Sequence, residues 1–214
     1  MSGGKVEKIL SFLEKHYPEA RIILNYNTPF QLLVATILAA QCTDERVNRV
    51  TETFFARYPS PEKLDESPLE EIEGAVKPTG FYRQKAKTLK AVSRALIERH
   101  GGEVPDRMEA LTDLPGVGRK TASIVLGECF GQDTLPVDTH VLRVSRRLGL
   151  AMSKNADKVE EELSSIVPEG KRWKFALTLG WHGRTVCTAR SPKCSVCGLE
   201  EMCPKIGVKG DKKG

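Results

Sequence analysis

A lysine, an aspartate and four cysteines are the residues of this chain whose types and spacing could do chemistry. The lysine, Lys120, follows the turn Leu114-Pro115-Gly116-Val117-Gly118-Arg119, and Asp138 comes one helix and one loop later. Gly116 and Gly118 give a tight turn whose N–H groups no side chain screens. A helix starting there aims those N–H groups, and the positive end of its dipole, at any anion that approaches, so a phosphate fits. The plainer reading is a helix-helix connector followed by a surface lysine, and pattern alone leaves both open. A nucleoside-triphosphate loop is excluded: that motif needs four residues between two glycines and a Gly-Lys pair, whereas Arg119 follows Gly118.

The cysteines stand at 187, 194, 197 and 203, among Gly, Pro and charged residues that cannot make a core of their own. Four thiolates so close need a cation. Two disulfides can be drawn, but a basic chain in which no stretch joins a basic start, an apolar run and a small-residue cleavage site argues against an oxidising compartment. One Cys-x-x-Cys pair and four sulfurs suit tetrahedral zinc and an iron–sulfur cubane alike, so spacing leaves these two open. Cys42 and Cys129 lie far from the four in apolar helical contexts and read as packed core residues.

Pro-Gly-Val-Gly-Arg-Lys-Thr-Ala at 115–122, Val-Asp-Thr-His at 137–140, His-Gly-Arg at 182–184 and the four cysteines together resemble the endonuclease III family, the iron–sulfur branch of the helix-hairpin-helix DNA glycosylases. The resemblance covers nearly the whole chain. It implies a bifunctional DNA glycosylase and abasic-site lyase of base excision repair, acting on oxidised or ring-saturated pyrimidines in double-stranded DNA. Lys120 is then the nucleophile, Asp138 its acidic partner, and Cys187, Cys194, Cys197 and Cys203 the ligands of a [4Fe–4S] cluster. The hairpin residues Leu114, Gly116, Val117, Gly118 and Arg119 would grip DNA backbone, with His140 and Arg143 beside them. Gln41 would enter the duplex where a flipped nucleotide leaves a gap, offsetting part of the cost of unstacking. Phe81 would be a second wedge; the family usually has leucine there, a departure that still leaves an apolar side chain. Asp44 would lie near the same pocket.

Those side chains need elements to position them. Val6, Ile9, Leu10 and Leu13 recur at helical spacing, predicting an amphipathic helix over about 5–16. Thr28-Pro29-Phe30-Gln31 announces a helix start, and the run to Ala40 is apolar on every side, as a helix at the centre of a core must be. Thr43 is a cap for the next helix, which is the plain reading of the polar cluster at 41–44. Ser60-Pro61 and Ser67-Pro68 read as two more capped starts with proline at the first helical position. Pro78-Thr79-Gly80 breaks the pattern and displays Phe81 at a loop tip, ahead of a long helix ending at Gly101-Gly102. Packing of Phe81 on the core is the competing reading. Asp106 is the expected cap of the first hairpin helix, with Arg119 to Phe130 the second; Asp138 caps Thr139 to Leu148, and cap and catalyst can be one carboxylate. Two further helices are expected at about 156–167 and 171–184.

No period-two strand is found, so the expected class is all-α. By resemblance, residues 22–132 form a six-helix barrel-like lobe containing the hairpin at about 107–130, and 1–21 with 133–204 form the cluster lobe, with the DNA groove between them. The lysine-rich tail at 205–214 is expected to be disordered. Arg190 and Lys193, in the loop between the first two cysteines, predict a basic strap that the cluster fixes against phosphate; Arg143, Arg146 and Arg147 add a basic face.

With 214 residues and 40% apolar content the chain can bury a real core. A net charge of +5 favours a polyanionic partner without deciding it. The run from Phe30 to Ala40 is too short to cross a bilayer, so the expected place is intracellular, cytoplasmic or nucleoid-associated, with no membrane partner and monomer as the default. The rivals are a helix-hairpin-helix DNA-binding module without chemistry and a monofunctional mismatch glycosylase. Lys120 and Asp138 together disfavour the first, and Lys120 disfavours the second.

Overall fold

The computed structural model describes residues 3–208, and among them it contains α-helices and short 3-10 turns but no strand. The chain divides into two compact units: residues 23–131 form one, and the stretch up to Ile22 joins the chain from Gln132 onward in the other.

The 23–131 unit is built round α2 (Pro29–Leu38), whose residues from Phe30 to Leu38 are all buried. A helix apolar on every side must be enclosed, and α2 packs against α3 (Asp44–Arg57), α6 (Tyr82–His100) and α8 (Arg119–Phe130). Thr28 caps α2 by accepting from Gln31 N–H, with Pro29 in its first turn, and Thr43 caps α3 likewise through Arg46 N–H. Two short helices, α4 (Pro61–Glu66) and α5 (Leu69–Val76), pack on α6, and α7 (Met108–Thr112) packs on α8. Besides these α-helices the unit holds one 3-10 turn, Lys77–Thr79.

Two expected caps are corrected. Ser67 does not open α5: its Oγ donates back to Lys63 O, finishing α4, and Pro68 stays extended in the cap position without a side-chain bond. Lys90 Nζ then donates to the carbonyls of Asp65 and Ser67, pinning that break to α6. Arg107, not Asp106, holds the cap position of α7.

In the other unit α1 (Gly3–His16) packs on α11 (Arg172–Thr185), and α9 (Thr139–Arg147) packs on α11 as well; α10 (Ala156–Ser164) contributes Val159 and Leu163 to the same core. The terminal segment is tied in by polar bonds too: Lys5 Nζ donates to Leu148 O, Lys174 Nζ to Pro18 O, and Trp181 Nε1 to Arg21 O. Asp133 opens α11 by accepting from the N–H groups of Arg172 and Trp173. Lys205 to Val208, assigned above to a disordered tail, instead form a turn in which Ile206 N–H donates to Arg147 O and Lys205 Nζ reaches Glu200. The rest of that tail, 209–214, lies outside the described residues.

Candidate functional site

The hairpin is the turn between α7 and α8. Leu114 and Val117 are buried, at 2% and 5% exposure, and their N–H groups donate to Leu111 O and Leu114 O. These two residues shape the turn from inside and offer no side chain or amide outward. Gly116 has φ +73, and a Cβ there would lie 2.6 Å from Thr88 Cγ2, so backbone conformation and the closeness of α6 both require glycine. A Cβ at Gly118 would meet open space. The fold does not need that glycine, and its missing side chain leaves the approach to the helix start clear. No side chain caps α8, so its first N–H groups open on the face where Gly116, Gly118, Arg119 and Lys120 are exposed. That face suits an anion, and it carries the amine of Lys120 one residue into the helix.

Gln41 and Phe81 share an unusual backbone state. Both are non-glycine residues with positive φ, 53° and 48°, in the left-handed region that costs energy for a residue with a Cβ. Gln41 is exposed in the short link between α2 and α3, and Phe81 is 66% exposed at the start of α6. Phe81 is thus displayed and not packed on the core. Asp44 is the first residue of α3. Cys42 and Cys129 are half-buried, less enclosed than expected, and burial pushes the Cys129 thiol up to about 11.

On α9, Asp138 is a working helix cap: one carboxylate oxygen accepts from His140 N–H at 2.8 Å and Val141 N–H at 2.7 Å. Its other oxygen faces Arg184 at 3.4 Å. His140 is half-buried, with its Nδ1 accepting from Arg143 at 3.2 Å, and burial holds its imidazole below the usual histidine range. Arg143, expected near phosphate, is engaged with backbone in this structure. Its guanidinium donates to Gly183 O and Cys187 O, at 2.8 and 3.1 Å from Nη2. Arg147 is likewise withdrawn from any basic face: it is 7% exposed and donates to Cys187 Sγ, Thr188 O and Ala189 O.

The four cysteines line one cavity with Val144, Leu148, His182 and Val186. Cys187 Sγ accepts from Arg147, Cys197 Sγ lies 3.5 Å from His182 Nε2, and Cys203 Sγ receives Lys205 N–H. Burial raises the thiols of Cys197 and Cys203, so ionising them needs positive charge in that cavity, as a bound metal centre would supply. Among the described residues no three metal-ligating side chains converge as a single-ion site. Four thiols lining one cavity fit a group that fills it and is held by all four. The His-Gly-Arg stretch now has a physical reading: His182 is buried and bonded to Tyr17, and a Cβ at Gly183 would sit 2.9 Å from His140 Cβ, so glycine lets α11 touch α9. The third residue, Arg184, faces Asp138. Burial pushes the His182 imidazole down to about 4. Arg190 and Lys193 are exposed on the loop that Arg147 clamps, and Lys193 N–H is held by Val186 O.

Sequence reasoning missed the clamp by Arg147, the placing of Arg184 and the buried ammonium of Lys85. The last had a signal: Lys85 stands four residues before Leu89 and seven before Val92, on the buried stripe of α6.

Residues 34–169 match the family model described as the HhH-GPD superfamily base excision DNA repair protein, and residues 187–203 match the iron-sulfur binding domain of endonuclease III. Endonuclease III of Synechocystis sp. is 47% identical over 201 residues, covering 94% of this chain and 92% of that protein. A solved endonuclease III in a trapped covalent intermediate with DNA superposes with a TM-score of 0.92 at 38% identity, covering 96% of this chain and 97% of the other. A thermostable thymine-DNA glycosylase follows with a TM-score of 0.86 at 29% identity, covering 94% and 96%.

Proposed function

The chain belongs to the endonuclease III family and is a base excision repair DNA glycosylase and abasic-site lyase with a [4Fe–4S] cluster; on that premise we propose that Lys120 joins both activities in one sequence of steps. The observation that supports this is an exposed amine at the uncapped start of α8, directly after a turn whose glycines leave anion-seeking N–H groups clear. The substrates are oxidised or ring-saturated pyrimidines, and abasic sites, in duplex DNA.

Chemistry on a stacked base requires its nucleotide to leave the helix, and Gln41 and Phe81 occupy the space it vacates. The neutral amine of Lys120 attacks the anomeric carbon of the sugar; the carbon–nitrogen bond to the base breaks and the base departs with the bonding pair. Asp138 takes a proton released in that exchange and offsets positive charge developing on the sugar. Ring opening gives an imine between lysine and sugar. The imine is an electron sink: loss of a proton from the neighbouring carbon expels the 3′ phosphate, and water later releases the lysine. Cys187, Cys194, Cys197 and Cys203 hold the cluster, which supplies a fixed centre for the loop carrying Arg190 and Lys193; no step of base removal runs through it.

Borohydride trapping on duplex DNA with a single abasic site, run with Lys120→Ala alongside, tests the proposal. A covalent adduct from the native chain alone is expected. Tight, salt-sensitive binding without an adduct would replace it with a monofunctional glycosylase or a binding module.

A further inference from the structure

Lys85 is the most deeply buried ammonium of the 23–131 unit, at 5% exposure, and the steps above do not use it. Its Nζ donates to Leu38 O at 2.8 Å and to Thr79 O at 2.8 Å. Leu38 ends α2 three residues before Gln41, and Thr79 ends the 3-10 turn two residues before Phe81. The backbone N–H of Lys85 adds a third bond, to Phe81 O at 3.0 Å. One residue therefore fastens the link that carries Gln41 and the loop that carries Phe81.

Leu38 O is one of the carbonyls that the end of a helix leaves without an internal partner, and that end is the negative pole of the helix dipole. A cation is the favoured partner there. Thr79 is itself fixed, 2% exposed with its Oγ1 donating to Val76 O. Burial lowers the affinity of Lys85 for its proton, so the charge is held at a cost and is kept where it joins two loops. Left-handed backbone at a residue with a Cβ persists only where its surroundings over-determine it. Gln41 and Phe81 are both in that state, and the two carbonyls grasped by Lys85 are what the segments leading to them share.

We propose that Lys85 is a positioning residue: its ammonium locks the Gln41 link and the Phe81 loop to each other, so that both wedges are set before DNA arrives. The inference rests on the reading of Gln41 and Phe81 as the side chains that fill the duplex. Preorganisation matters because a wedge that must first be ordered spends binding energy on its own entropy instead of on opening the stack.

The test compares processing of one oligonucleotide with a single abasic site, either single-stranded, where no stack need be opened, or paired. Lys85→Met removes both donors, Lys85→Arg restores donors at the same place, and Gln41→Ala with Phe81→Ala removes the wedges. The readout is the ratio of duplex to single-strand trapping rates, which cancels the fraction of active protein. Lys85→Met is expected to lower that ratio on the order of tenfold, with single-strand trapping within about twofold of wild type, as a small misplacement of positioning groups does. Lys85→Arg is expected to recover most of the ratio. Should Lys85→Met not fold, Lys85→Gln, whose uncharged amide sits on a shorter stem and replaces the ammonium, carries the same comparison. Equal loss on both substrates, or an unchanged ratio while the wedge variant lowers it, overturns the role of Lys85 alone. A wedge variant with the wild-type ratio overturns the reading of Gln41 and Phe81, and this inference with it.

Discussion

Asp138 caps α9 and is the proton acceptor proposed above, two roles that a substitution can separate. As a cap it accepts two N–H groups of the first turn of α9, and asparagine does that as well as aspartate. As a proton acceptor it needs the carboxylate. Asp138→Asn is therefore expected to melt close to wild type and to lose about a hundredfold or more in base release. Asp138→Ala is expected to lose the activity and also about 1 kcal/mol of stability. The partial pairing with Arg184 adds little to that figure, because Arg184 keeps a third of its side chain exposed. Thermal melts beside single-turnover base release check the separation; an Asn variant as unstable as the Ala variant would contradict the cap. His140 gives a pH dependence. Burial, outweighing the Asp138 carboxylate and aided by Arg184 and Arg143, holds its folded-state value below that of the unfolded chain. The unfolded chain then binds the proton first, so this contribution is full above the ordinary histidine value of ~6.5 and is lost as pH falls through it. Between pH 8 and pH 5 the melting temperature of His140→Gln is expected to fall less than that of wild type.

At the scale of elements, α9 is the organising piece of the cluster region. It starts on the Asp138 cap and sends Arg143 and Arg147 onto the carbonyls of residues 187–189. Arg147→Met would take the donor from the part-buried carbonyls of Thr188 and Ala189 and remove a partner of Cys187 Sγ. The expected loss is roughly 2–4 kcal/mol, with iron released faster on dialysis; unchanged iron retention would show that the cysteines alone order the loop. These elements were unequally legible. The second hairpin helix runs from Arg119 to Phe130 as glycine at each end announces, because Gly118 and Gly131 punctuate it locally. The break at Ser67-Pro68 was misread because two physical solutions share one sequence: a serine before proline can open the next helix or close the last one. The long-range bond of Lys90 to Ser67 O accompanies the second. The sequence suggests a basic face of Arg143, Arg146 and Arg147, and nothing local reports that carbonyls 40 or more residues away take the donors of Arg143 and Arg147. Lys120, Asp138 and the four cysteines stand out in the sequence because the proposed chemistry fixes their types, whereas Lys85 does not because its partners are backbone atoms.

For the whole molecule, a net charge of +5 is a weak guide to where DNA is gripped, since buried Arg147 carries part of it without facing solvent. Unlike Arg143 and Arg147, whose guanidiniums are taken up by carbonyls, Arg190 and Lys193 are exposed, on a loop that lies between cysteines and is clamped from within by Arg147. A fixed cation loses little entropy on meeting phosphate, and each phosphate it neutralises releases counterion, steepening the fall of affinity with salt by about 0.9 in the logarithmic slope. Arg190→Ala with Lys193→Ala is therefore expected to reduce that slope by nearly 2 and to weaken binding to all sequences alike. Trapping of bound abasic DNA at saturating protein is expected to be unchanged, because the amine at the start of α8 is untouched. A salt titration of the native and doubly substituted proteins on undamaged and abasic duplexes decides it. An unchanged slope would mean that the loop is ordered for the cluster and not for DNA, and the grip on the backbone would then fall to the open N–H groups at Gly116 and Gly118.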